Sequence, residues 1–187
     1  MTIPVLWLVG SIGTGKSDAS FHVFSRLFRA GTPVARLDLD DVGMCHPAPA
    51  DDPENHRVKS EAMGAAWSVF EQHGATCFVI SGGVSTPSEV ALYTGCLPSA
   101  DWTIVRIRIG ADERRDRTIR RGRMLGQDAR TVEQWIQTGI DEEASLDTHG
   151  FAKHVIDTDG LDQQQVVDVV LQQTGWPTPT PLSRSGS

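Results

Sequence analysis

Lysine is almost missing from this chain of 187 residues: three lysines stand against fourteen arginines, in a chain of net charge −7. With a pI near 5.3 it lacks the extended basic surface that a general nucleic-acid binder or a binder of anionic membranes requires, so neither partner is expected. Cysteine is also scarce. Cys45, Cys77 and Cys96 are odd in number and lack metal-ligand spacing, which argues against a disulfide framework or a zinc site. Reduced, semi-buried thiols and a cytoplasmic location are expected. The apolar run at residues 3–9 is too short for a membrane span, and neither a basic stretch before it nor a small-residue cleavage site after it suggests a leader. No internal repeat or linker is visible. A hydrophobic fraction of 39% is ordinary for a globular protein, so one domain over residues 1–175 is expected. Residues 176–187, rich in proline, serine and threonine, have the composition of a flexible tail.

What is present is concentrated near the start. Gly10-Ser11-Ile12-Gly13-Thr14-Gly15-Lys16-Ser17 matches the phosphate-binding pattern G-x-x-x-x-G-K-[ST], and with so few lysines the one in this slot is no by-product of abundance. The run Ile3 to Val9 before it suits a buried strand. After it, Ala19, Val23, Phe24, Leu27 and Phe28 recur at helical spacing. Strand, loop and helix therefore come in the order that turns backbone N–H groups and a helix N-terminus toward one anion. Ile12, Gly13, Thr14, Gly15, Lys16, Ser17 and Asp18 are the candidate nucleotide contacts. Lys16 is placed for the β and γ phosphates, and the Ser17 hydroxyl for the Mg2+ that accompanies ATP.

Further along, Val34 to Asp41 reads as a second strand ending in carboxylates, with Asp38 and Asp40 on one face of the extended chain. Asp52 before Pro53 reads as an N-cap for a helix with Met63, Ala66, Trp67 and Phe70 on one face, stopped by His73-Gly74. Thr76 to Ser81 is a third strand, running into Gly82-Gly83. Thr86-Pro87-Ser88-Glu89 is a capping box for a short helix ending near Tyr93–Gly95, and Trp102 to Ile109 a fourth strand. Ala111 to Arg121 is an arginine-rich helix, followed by a loop from Gly122 to Arg130. A second capping box, Thr131 to Gln134, opens a helix with Trp135, Ile136, Ile140 and Leu146 toward the core. His154 to Asp157 is a last strand, and a helix with Val166, Val167, Val170 and Leu171 follows. Alternating strands and helices imply an α/β fold, a parallel sheet covered on both faces with ligands at the carboxyl ends of its strands.

Three features point to the chemistry. A carboxylate at the end of the second strand, Asp40 ahead of Asp38, can accept a proton from an attacking hydroxyl or, for Asp38, help to hold the metal. Arg114, Arg117 and Arg121 share a helical face and would direct guanidinium groups at transferring phosphates, with Gly122 and Gly126 suiting a lid over about residues 114–130. The third strand ends in Ser81, where motor ATPases and most GTPases carry a magnesium-binding aspartate, and no Asn-Lys-x-Asp guanine-reading sequence occurs.

On these residues the chain resembles the small P-loop kinases, which include adenylylsulfate kinase, gluconate kinase, shikimate kinase and chloramphenicol phosphotransferase. The resemblance implies a three-layer P-loop NTPase fold with a five-stranded parallel sheet in the order 2-3-1-4-5 and a short lid. Asp38-Leu39-Asp40-Asp41 is similar to the Asp-Gly-Asp-Asn of adenylylsulfate kinase, which places the proposed base at Asp40, although Leu39 and Asp41 depart from that pattern. The resemblance also implies that the loop after the fifth strand, with Thr158 and Gly160, holds the adenine.

Cationic side chains between residues 37 and 100 are limited to Arg57 and Lys59, against nine carboxylates. A neutral or cationic hydroxyl compound is therefore the expected acceptor, a sugar, nucleoside, amino-alcohol or antibiotic, with Arg57 able to read one anionic group and Gly82-Gly83 allowing close approach. A nucleoside or nucleotide kinase, and a nucleotide-binding regulator without an acceptor, are the competing readings. A homodimer is compatible with the sequence. His46 and His56 flank the acidic loop at a spacing that fits no metal motif.

Overall fold

The computed structural model describes residues 2–176. In chain order the elements are β1 (Ile3–Val9), α1 (Lys16–Arg29), β2 (Val34–Asp38), α2 (Leu39–Val42), α3 (His56–Gln72), β3 (Cys77–Ser81), α4 (Pro87–Cys96), β4 (Ala100–Arg108), α5 (Ala111–Met124), α6 (Ala129–His149), β5 (His154–Asp157) and α7 (Gln163–Thr174). The five strands form one parallel sheet in the order β2-β3-β1-β4-β5.

The sheet is covered on both faces because its central strands are apolar on both. Leu6 and Leu8 of β1 and Val79 of β3 pack with Val23 and Leu27 of α1 and Val167 and Val170 of α7. Val5, Trp7 and Val9 point the other way, with Phe78 and Ile80, against Met63 and Trp67 of α3 and Tyr93 of α4. Complete burial of each such side chain contributes about 1.5–3 kcal/mol, so β1, buried from Val5 to Val9, is the axis of the molecule. Trp176, placed with the tail on composition, is 7% exposed and packs into the first of these clusters. Residues 177–187, the rest of that expected tail, lie outside the described residues.

Several local expectations need correction. β2 stops at Asp38, and Leu39 to Val42 turn into a single helical turn that Asp38 caps by accepting from the Asp40 N–H. Asp38 and Asp40 therefore do not share a strand face; side-chain capping overrode the strand pattern. α3 begins at His56, later than a cap at Asp52 suggests, yet the Asp52 carboxylate still receives the N–H groups of His56 and Arg57. α5 continues through Gly122 to Met124, and Asp128, rather than Thr131, caps α6. Gly122 is a contact rather than a hinge: a Cβ there would lie 2.3 Å from Val132 Cγ2, so it lets α5 and α6 touch. Phe28 and Ile140, expected in the core, are 66% and 46% exposed, and Cys45 is exposed while Cys77 is buried.

Candidate active site

The loop between β1 and α1 is built for an anion. Gly13 and Gly15 take φ of 85° and 90°, left-handed values at which a side chain is strained. Gly15 caps α1 without any side-chain hydrogen bond, and the N–H groups of Gly13, Gly15, Lys16 and Ser17 bond no other described residue. Helix N-termini left in this state are satisfied by a ligand or by water. Lys16, 8% exposed, emerges at the same point. Gly13 to Asp18, Arg117, Arg121 and Thr158 line a cleft of about 970 Å3. The residues therefore fit a nucleotide polyphosphate. The Ser17 hydroxyl makes no hydrogen bond with a described residue and fits magnesium. Asp38 is less available: Oδ2 accepts from Ser81 Oγ at 3.0 Å and Arg36 at 3.3 Å, and Oδ1 from the Asp40 N–H.

Parallel register sets the strand ends in a row, Asp38 beside Ser81 and Ser81 beside Leu8. From that row a partly buried chain runs under the loop: Arg36 donates to Ser20 Oγ at 2.9 Å and to the Ser17 carbonyl at 3.2 Å, and Ser20 Oγ donates to Ser81 Oγ at 3.0 Å. Ser81 thus holds Asp38 in place. Asp40, carried by α2, turns to the far side of Lys16, 3.5 Å from its Nζ and 3.8 Å from that of Lys59. Burial works against the charge on Asp40, but Lys16, Lys59 and the Gly83 N–H outweigh it and hold the carboxyl below its ordinary range. With 45% of its side chain exposed, Asp40 is ionised at neutral pH and open to a bound molecule.

Of the arginine face expected on α5, Arg117 and Arg121 line the cleft, as does Arg120, while Arg114 turns inward to Ser11 Oγ at 3.3 Å and Glu143 at 3.2 Å. Glu113 offsets the like charge by pairing with Arg117 at 2.8 Å and Arg120 at 3.5 Å. An Arg117 Nη1 lies 3.3 Å from where a Cβ on Gly15 would sit, so this guanidinium stands directly over the phosphate loop. Thr158 is buried, held by the Arg108 carbonyl, and lines the cleft, whereas Gly160 does not. Gly82 lies against α2, and a Cβ on it would meet Leu39 Cβ at 2.6 Å. Arg57 stands apart, paired with Asp51 at 2.8 Å and near Asp52.

The residues that sequence reasoning missed come from α6. Glu142 accepts the Ile12 N–H at 2.8 Å, and Glu143 accepts from Ser11 Oγ at 2.7 Å while pairing with Arg106 and Arg114. Nothing local marks them, because their partners lie 130 and 132 positions away in the chain. Arg36 and Lys59 also escaped assignment to the site.

No protein-family model and no curated protein sequence matches the chain. Solved structures do. The chain is similar to the Deinococcus radiodurans tunicamycin resistance protein at 20% identity and TM-score 0.67, over 94% of this chain and 97% of that one. A shikimate kinase from Acinetobacter baumannii in complex with shikimate aligns at 18% identity and TM-score 0.61, over 92% and 93%. A gluconokinase from Sinorhizobium meliloti 1021 aligns at 14% identity and TM-score 0.62, over 93% and 92%. The fold is that of the P-loop kinases, with the sheet order 2-3-1-4-5 that the resemblance implied. No helix among the described residues is long and apolar enough to cross a membrane.

Proposed function

We propose that the protein is an ATP- and magnesium-dependent phosphotransferase that moves the γ-phosphoryl group to a hydroxyl of a small molecule. One observation carries this reading: Lys16 stands between a loop whose N–H groups bond no other described residue and the exposed carboxylate of Asp40. Magnesium ATP supplies the phosphoryl group and shields its charge. The loop N–H groups and Lys16 would hold the phosphates, Ser17 would hold the metal, and Thr158 would border the base. Asp40 accepts the proton of the acceptor hydroxyl, a contribution of about 10²–10⁴-fold for general-base catalysis. Arg117 and Arg121 stabilise the charge on the group in transfer. Similarity in fold to a shikimate kinase and a gluconokinase supports a small hydroxylated acceptor, and similarity to a tunicamycin resistance protein supports including antibiotics with sugars, nucleosides and amino-alcohols.

The test is a mass-spectrometric panel of sugars, nucleosides, nucleotides, amino acids and aminoglycosides with magnesium ATP. One compound is expected to gain a phosphoryl group with the wild type, and Asp40→Asn is expected to lower kcat at least 100-fold with ATP affinity kept within about threefold. ATP binding that Lys16→Ala abolishes, with no transfer to any compound, would instead identify a nucleotide-binding regulator.

A further inference from the structure

Two adjacent carboxylates of α6 reach the phosphate loop, and they are used differently. Both Glu143 oxygens are engaged, by Ser11 Oγ, Arg106 and Arg114, so this residue clamps the loop to β4 and α5. Glu142 is anchored by one oxygen alone. Its Oε2 accepts the Ile12 N–H at 2.8 Å, while Oε1 bonds no described residue. Gly139, one turn earlier and buried, keeps this approach close: a Cβ there would already touch the Ile12 carbonyl at 3.4 Å, leaving little room for a side chain beyond it.

The free oxygen faces the acceptor side. Glu142 Oε1 lies 3.8 Å from where a side chain on Gly83 would begin, and the Gly83 N–H donates to Asp40 Oδ1 at 3.4 Å. Asp40 and Glu142 thus flank Gly83, and Lys16 acts on both. Burial raises the Glu142 carboxyl above its ordinary range, opposed by the Ile12 N–H and Lys16, with Asp40 and Glu54 adding to the rise. Such a group gains from a hydrogen-bond donor and disfavours a second anion.

We propose that Glu142 is a specificity-determining residue of the acceptor side, whose free oxygen accepts a hydrogen bond from a second hydroxyl or an ammonium group of the molecule whose reacting hydroxyl faces Asp40. The inference rests on the kinase reading. Its consequence is selection by chemistry rather than size: an acceptor with a donor beside the reacting hydroxyl is preferred, and the same scaffold with a carboxylate there is rejected.

The test measures phosphoryl transfer from magnesium ATP by mass spectrometry over scaffolds presented in hydroxyl, amine and carboxylate forms, such as glucose, glucosamine and gluconate. Wild type, Glu142→Gln and Glu142→Arg are compared. The wild type should favour the amine or hydroxyl form. Glu142→Gln, whose amide oxygen still accepts from Ile12, should raise KM for that form at least tenfold, with kcat within threefold, the ATP KM unchanged and Tm not lowered, because the neutral amide relieves a buried charge. Glu142→Arg should shift preference toward the carboxylate form. An unaltered acceptor KM and order of preference in Glu142→Gln would overturn the inference alone, as would a raised ATP KM and a lowered Tm that accompany the change in acceptor KM, which would mark a merely structural clamp. A wild type that binds magnesium ATP yet transfers to no compound of the full panel of sugars, nucleosides, nucleotides, amino acids and aminoglycosides overturns the kinase reading and this inference with it.

Discussion

Lys16 stands close to Asp40, and its charge also reaches Glu142, but the surroundings push the two carboxyls in opposite directions, Asp40 down and Glu142 up. They should therefore leave separate marks on the pH dependence of the free enzyme, which kcat/KM for the acceptor reports. Asp40 starts from 3.8 and is lowered, so as pH falls the loss of its base function should be half complete only below 3.8. Glu142 starts from 4.5 and is raised, facing Ile12, Lys16, Asp40 and Glu54, so as pH falls its preference for an amine acceptor should be half lost already above pH 4.5, where the carboxylate takes up a proton. Glu142→Gln should erase the upper limb and leave the lower one. The signs for stability differ too. The Asp40 contribution is present above its unfolded pKa and is lost as pH falls through the lowered folded one, whereas protonation of Glu142 favours the folded state as pH falls through its raised value.

The single turn α2 aims the proposed base. Leu39, 1% exposed, anchors it in the core and lies where any side chain on Gly82 would go. Gly82→Ala should therefore displace α2 and Asp40, lowering transfer at least tenfold while leaving the thermal shift with ATP intact, because the added Cβ meets Leu39 of α2 and the Gly82 N–H bonds Leu8 of β1. This element also shows the limit of pattern reading. Ala35-Arg36-Leu37-Asp38 alternates as a strand should, and Leu39-Asp40 carries the alternation on. The turn forms because the Asp38 carboxylate, pinned by Ser81 of the neighbouring strand and by Arg36 two residues before it, is positioned to receive the Asp40 N–H. The capping box at Thr86–Glu89, by contrast, was legible because all of its bonds are local. The box expected at Thr131 yielded to Asp128, an equally local cap three residues earlier.

Across the molecule, nucleotide binding should appear as stability. A ligand at 100 times its Kd adds about 2.7 kcal/mol to a one-site protein, and at this size each kcal/mol moves Tm by about 2–4 °C. Magnesium ATP at that excess should raise Tm by roughly 5–10 °C in a thermal shift measurement, and Lys16→Ala should remove the rise. The sequence alone determined that the chain alternates strand and helix, that its central strands are buried on both faces, and that a phosphate loop joins the first strand to the first helix. Each of these depends on neighbours a few positions apart, through side-chain periodicity and backbone N–H groups of one loop. Only the tertiary structure decided that Arg114 turns away from the cleft, that Asp38 and Asp40 part company, and that Glu142 and Glu143 of α6 meet Ile12 and Ser11. Those contacts join residues far apart in the chain, and their geometry is set by the order of strands in the sheet and the glycines that let helices approach it, which no local pattern encodes.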